Sequence, residues 1–169
     1  MIEMASAAAS VSALKPRPII TCCAERLSDE LENLKPLFPE HFAELALDQD
    51  KVPLDPQYSI YLERENRGEV LFVAMREAGK IVGYFVGFVA PGLHYQTCLT
   101  LTLDIFWVLP AYRGQGAGFQ LFKFVEKEAR NRGVQRMFVG SKLHKDASWM
   151  FDKLGYREVE RYYSVWLGG

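Results

Sequence analysis

The chain has 169 residues, 49% of them hydrophobic and 24% charged, with 20 Lys and Arg against 21 Asp and Glu for a net charge of −1. A single domain of this size buries about 70% of the surface its unfolded chain exposes, so it folds without disulfides or a structural metal. That composition excludes a disordered chain, and the balanced charge disfavours a generic basic nucleic-acid binder.

Cys22, Cys23 and Cys98 form no CxxC pair and no metal-ligand spacing, which suits a reducing compartment, and no metal site is expected. No run approaches the roughly 18 apolar residues of a membrane-spanning helix. Residues 1–16 are rich in Ala and Ser, carry Glu3 and lack a basic start, so they read as a disordered or weakly helical lead rather than a signal peptide. The folded domain is expected over 17–169, in the cytoplasm and away from membranes.

After Pro16 and Pro18, the apolar run Ile19 to Cys23 predicts a first strand. From Leu27 to Leu47 the spacing is helical, interrupted by Pro36 and Pro39. Residues 48–56 are a polar loop, and Asp55-Pro56 predicts a further helix through Glu65 with Asp55 as its cap. Glu69 to Ala90 predicts a hairpin turning at Glu77-Ala78-Gly79-Lys80, with Gly79 at positive φ. Its second arm is apolar on both faces, the mark of a central strand covered from both sides.

Thr97 to Val108 alternates with period two. Leu99, Leu101, Leu103, Ile105 and Trp107 are expected on one face, and Cys98, Thr100, Thr102, Asp104, Phe106 and Val108 on the other. Gly116 to Asn131 predicts a helix whose buried stripe is Ala117, Leu121, Phe122, Val125 and Ala129. Val134 to Gly140 reads as a strand, Asp146 to Leu154 as a short helix stopped by Gly155, and Tyr156 to Leu167 as a last strand or hairpin arm. The order predicts one α/β domain, a mixed central sheet with helices on both faces.

The chemistry concentrates where the long strand ends, in Val108-Leu-Pro-Ala-Tyr-Arg-Gly-Gln-Gly-Ala-Gly-Phe119. Glycines at 114, 116 and 118 let backbone approach a ligand, and the following helix presents unpaired N–H groups and a positive dipole end. Together they make an anion site suited to a pyrophosphate, with Arg113 expected to add positive charge. No Lys-Ser/Thr follows, as a Walker loop requires, and the sixth position from Gly114 is Phe119, which excludes the dinucleotide fingerprint.

The spacing Arg-x-x-Gly-x-Gly from Arg113 to Gly118 resembles the acyl-CoA pyrophosphate loop of the GNAT acyltransferase superfamily. Val108-x-Pro110-x-x-Arg113, the helix positions Leu121, Phe122 and Val125, and Phe151-Asp-Lys-Leu-Gly155-Tyr156 extend the resemblance from about Glu69 to Tyr156. Leu93-His94-Tyr95 and Lys142-Leu-His144-Lys-Asp146 are similar to small members of the family carried by tailed bacteriophages, for which the compartment would be the host cytoplasm.

The resemblance implies a GNAT-like fold that transfers acetyl from acetyl-CoA to an amine, on a small molecule or a protein, by direct attack. It places pyrophosphate on Gly114, Gln115, Gly116, Ala117 and Gly118, and pantetheine along the backbone of Phe106, Trp107 and Val108. His144 stands where many members have Asn, and Phe151 where many have a Tyr that protonates the departing thiolate, so both are expected beside the cosubstrate. Asp104, on the polar face near the strand's end, is the expected general base, and His94 is the second catalytic candidate. A homodimer is compatible with this reading. Two alternatives stay open: a longer acyl-CoA, and a non-catalytic acyl-CoA-binding or interaction module, to which the missing Tyr gives weight.

Overall fold

A run apolar on both faces needs cover on both, and the strand containing it takes the middle of the sheet. The computed structural model describes residues 19–168; the expected lead lies outside them. Its strands are β1 (Ile20–Glu25), β2 (Val70–Glu77), β3 (Lys80–Gly92), β4 (Tyr95–Val108) and β5 (Arg136–Phe138). They lie in the order β1-β2-β3-β4-β5, antiparallel from β1 to β4 and parallel between β4 and β5. The helices are α1 (Leu27–Leu34), α2 (Phe38–Leu45), α3 (Tyr58–Asn66), α4 (Ala117–Asn131) and α5 (Ser148–Lys153), and a 3₁₀ turn at Lys35–Leu37 joins α1 to α2 where Pro36 breaks the pattern.

Each face of the sheet has its own core. Leu71, Val73, Phe85 and Leu101 pack with Leu121, Phe122 and Val125 of α4 and with Met150 and Phe151 of α5. On the opposite face, Phe72, Tyr84, Val86 and Trp107 pack with Leu27 and Leu34 of α1 and with Phe38 and Leu45 of α2. The buried residues of α4 are the five that its periodicity names. The hairpin turns through Ala78 at φ 47° and Gly79 at φ 83°, a two-residue type I′ geometry that matches the twist of β2 and β3.

Four expectations need correction. The alternation in β4 does not run unbroken: Ile105 pairs with Val86 but Leu103 pairs with Gly87, so Asp104 is an extra, unopposed residue. A one-residue bulge exchanges the faces of everything beyond it. Leu99, Leu101 and Leu103 therefore share the α4 side with Phe106 and Val108, while Ile105 and Trp107 face α1 and α2. Gly87 sits opposite the bulge because a Cβ there would lie 2.7 Å from Leu101 Cδ1.

The third helix starts at Tyr58 with Gln57 before it and no side-chain cap, so Asp55-Pro56 stays in the loop. The fifth strand is only three residues long. Residues 157–168 form no strand, and Tyr162, Tyr163 and Leu167 are exposed at 85%, 91% and 88%. A period-two pattern shows that a segment fits a pleated surface; without a paired edge it makes no ladder.

Candidate functional site

Strand β5 pairs with β4 only at Thr100, Leu101 and Thr102. Beyond them β4 continues to Val108 without that neighbour, and a cleft of about 1070 Å³ opens there. One end is lined by Arg113, Gly114, Gly116, Ala117, Gly118 and Phe119, with Ser141, His144 and Met150 opposite. Leu103 to Val108 form its floor, and α1, α2, α3 and the 46–57 loop wall the other end.

The glycine loop turns because Gly114 and Gly116 take φ of 77° and 87°, which ordinary side chains resist. Gly116 is the residue before α4, and the first helical N–H to find an acceptor is that of Gln120, on Gly116 O at 3.0 Å. Ala117, Gly118 and Phe119 are thus left with N–H groups that have no intrahelical acceptor, at the positive end of a 15-residue helix. Gly118 is different. It is helical, and a Cβ on it would lie 2.7 Å from Met150 Sδ, so it is small to let α5 close on α4.

Arg113 lines the cleft beside the loop, as expected, but its charge is paired. Its Nε donates to Val108 O at 2.8 Å, and Nη1 and Nη2 donate to Glu44 at 2.5 and 2.7 Å. Glu44 also accepts from Trp107 Nε1 at 2.9 Å and lies 3.7 Å from Lys145 Nζ. The hydrogen bonds from Arg113 lead the causes that hold its carboxyl at about 2. The loop's own positive potential therefore comes from backbone dipoles, and Arg113 ties the loop to α2. One turn back on α2, the ring of His41 stacks on Trp107 at 5.8 Å, 4° from parallel. The buried Tyr84 hydroxyl and His41 Nδ1 lie 2.6 Å apart and share a hydrogen bond whose donor is set by the imidazole tautomer.

Burial lowers the His41 pKa to about 4, and this has a consequence for acid stability. The unfolded chain protonates His41 near the ordinary value of 6.5, while the folded one resists until about 4. Its contribution is full above pH 6.5 and is lost as the pH falls to 4, up to about 3 kcal/mol. Glu44 acts in a lower window, its stabilisation present above 4.5 and lost toward 2. Denaturant midpoints measured across pH should show both slopes, and His41→Gln should abolish the upper one alone. An unchanged slope between pH 6.5 and 4 in that variant would assign it to another group.

Asp104 occupies the bulge, opens onto the cleft and accepts a hydrogen bond from Tyr61 Oη at 2.5 Å. Desolvation raises its pKa above the ordinary carboxylate value, and the Tyr61 bond and the Arg64 charge partly oppose the rise. Arg64 is otherwise engaged, with its guanidinium over the Phe88 ring at 3.9 Å and Nε 3.2 Å from Glu69. The result is a carboxylate held in place at the end of the cleft and more basic than one in water.

The other expected site residues divide. Phe106, Trp107, Val108 and His144 line the same cleft, although the Val108 carbonyl is taken by Arg113. Gln115 lies in the loop between two cleft glycines but is not itself a lining residue. Phe151 does not line the cleft: it is 7% exposed, edge-on to Phe106 and Phe122 and stacked on Tyr156 at 5.7 Å. His94 lies in the β3–β4 turn. Nine residues of strand separate it from Asp104, about 30 Å, so it takes no part in this cleft. Sequence reasoning missed His41, Glu44 and Tyr61. His41 and Glu44 share a face of α2, three residues apart, which is the one local signal available.

A family model for the acetyltransferase (GNAT) family matches residues 31–156, and the chain belongs to that family. Among solved structures, the chain is similar to the ribosomal-protein-alanine N-acetyltransferase of Brucella melitensis biovar Abortus 2308, at TM-score 0.69 and 14% identity over 89% of this chain and 99% of that one. It is similar to a predicted acetyltransferase from Clostridium acetobutylicum crystallised with acetyl-CoA, at TM-score 0.63 and 13% identity over 88% and 97%. It is also similar to glucosamine-6-phosphate N-acetyltransferase from Arabidopsis thaliana, at TM-score 0.66 and 12% identity over 89% and 99%. These likenesses establish the fold. A comparison with curated protein sequences finds no match. Among the described residues, no helix is long and apolar enough to cross a membrane and no cluster of His, Cys, Asp and Glu is arranged to hold a metal.

Proposed function

We propose that the protein is an acetyl-CoA-dependent N-acetyltransferase acting by direct attack of an acceptor amine. The observation that carries this reading is the placement of a raised, hydrogen-bonded carboxylate, Asp104, in one cleft with the unpaired amides of the glycine loop. The amides of Ala117, Gly118 and Phe119 suit a pyrophosphate, and the unpaired length of β4 beyond Thr102 suits an extended amide chain. When bound, acetyl-CoA supplies the activated acyl carbon and a leaving thiol.

Asp104 pairs with the acceptor's ammonium and accepts a proton from it, directly or through water, which frees the amine lone pair to attack the acyl carbon. Tyr61 holds that carboxyl in position. Phe151 is packed away from the cleft and has no proton to give, so water protonates the departing sulfur. Holding both reactants in line supplies much of the rate. The similar structures are named for different acceptors, a ribosomal-protein alanine and glucosamine 6-phosphate, so similarity of fold selects neither.

Acetyl-CoA at about 100 times its Kd should stabilise the fold by roughly 2.7 kcal/mol, while NAD and ATP do much less. Equal thermal shifts from all three would remove the CoA assignment. Release of CoA with an amine present separates an enzyme from a binding module on the same fold.

A further inference from the structure

The acceptor end of the cleft has a chemistry of its own. The segments that wall it, α1, α2, α3 and residues 46–57, contribute Leu31, Phe38, Phe42, Leu45, Leu54 and Tyr58, and they contribute no Lys or Arg. The cations that line the cleft, Arg113, Lys142 and Lys145, come from the glycine loop and the segment after β5. Arg113 is paired with Glu44 and bonded to the Val108 carbonyl, and Lys145 also faces Glu44. Among the described residues, an acceptor bearing phosphate or carboxylate therefore meets no free cation on this wall, and burying its charge there is costly.

The acids are equally sparse. Of the four acids that line the cleft, Glu44 is neutralised by Arg113 and Asp146 accepts hydrogen bonds from Ser141 and Ser148 after β5, which leaves Asp104 and the loop residue Asp55 toward the acceptor end. One or two carboxylates match one ammonium; a polycation would leave charges against phenylalanine and leucine. The apolar side chains are not sealed into the core either: Leu54 is 40% exposed, so this surface gains by being covered.

We propose that the acceptor is a small primary monoamine on an apolar chain or ring, its nitrogen at Asp104 and its body along the wall of Phe38, Phe42, Leu45, Leu54 and Tyr58. This rests on the reading of the cleft as an acetyl-transfer site and names the acceptor class for it.

The test uses the whole chain saturated with CoA and measures amine binding by calorimetry, then uses acetyl-CoA and measures kcat/KM. The panel is butylamine, hexylamine, octylamine and 2-phenylethylamine against spermidine, glucosamine 6-phosphate and a peptide with an N-terminal alanine. Binding and kcat/KM should both rise about fourfold per added methylene until the wall is filled. Leu54→Asp, at an exposed loop position, should weaken hexylamine at least tenfold and improve spermidine.

A higher kcat/KM for spermidine, the sugar phosphate or the peptide than for every apolar monoamine would overturn the acceptor class and leave acetyl transfer standing. Graded binding of the alkylamines to the CoA complex with no acetylation of any amine would support the acceptor site and overturn the transferase reading. Failure of all apolar amines to bind the CoA complex would overturn the inference whatever else is acetylated.

Discussion

Asp104→Asn should lower kcat by about 10² to 10⁴-fold, the range expected for loss of a general base, and leave acetyl-CoA affinity nearly unchanged. Asn keeps the shape and can still accept from Tyr61, so the variant removes basicity rather than packing. The rise of kcat/KM with pH that reports the carboxylate should vanish with it. Tyr61→Phe is the companion. Its hydrogen bond is one of the two influences lowering the Asp104 pKa, so removing it should move that limb to higher pH with a smaller loss of rate. A purely structural Tyr61 would leave the limb where it is. A fully active Asp104→Asn would place the base elsewhere, with His41 or a water next to be tested, since His94 is out of reach.

Gly116→Val should weaken acetyl-CoA binding by about tenfold to a hundredfold, roughly 1.4–2.8 kcal/mol. At φ 87° a β-branched residue is strained, and relief of that strain turns the loop amides away from the position a pyrophosphate needs. A Cβ there meets no protein atom within 4 Å, so the cost is conformational and not a clash. Gly133→Val provides the control. Gly133 also has positive φ, 78°, with nothing within 4 Å of its Cβ, and it lies beyond the far end of α4. The two variants should lose similar stability, and only the first should lose CoA affinity in an equilibrium binding measurement. Equal affinities would make the loop an ordinary turn.

The residues that sequence reasoning placed well are those governed by neighbours a few positions away. The α4 stripe follows from 3.6-residue periodicity, the central place of β3 from apolar residues on both faces, and the loop from its glycine spacing. Asp104 was legible as a polar residue near a strand end, but the alternation that suggested it hides the bulge that positions it. Nothing in a period-two pattern says where an extra residue interrupts the register; that is settled by β3 pairing, with Gly87 clearing space for Leu101.

By itself, the amino-acid sequence determined the family, the two-sided sheet and the glycine loop, because each is written in local spacing that the backbone must obey. The tertiary structure alone decided the site's wiring. Arg113 finds Glu44 across 69 residues and Tyr61 finds Asp104 across 43, while His94, close to Asp104 in the chain, is carried to the far end of the same strand. The reason is geometric. A strand separates its own residues by about 3.3 Å each, while helices laid across a sheet bring distant ones into contact, and which meet depends on how α1, α2 and α3 pack, which no short window of sequence encodes.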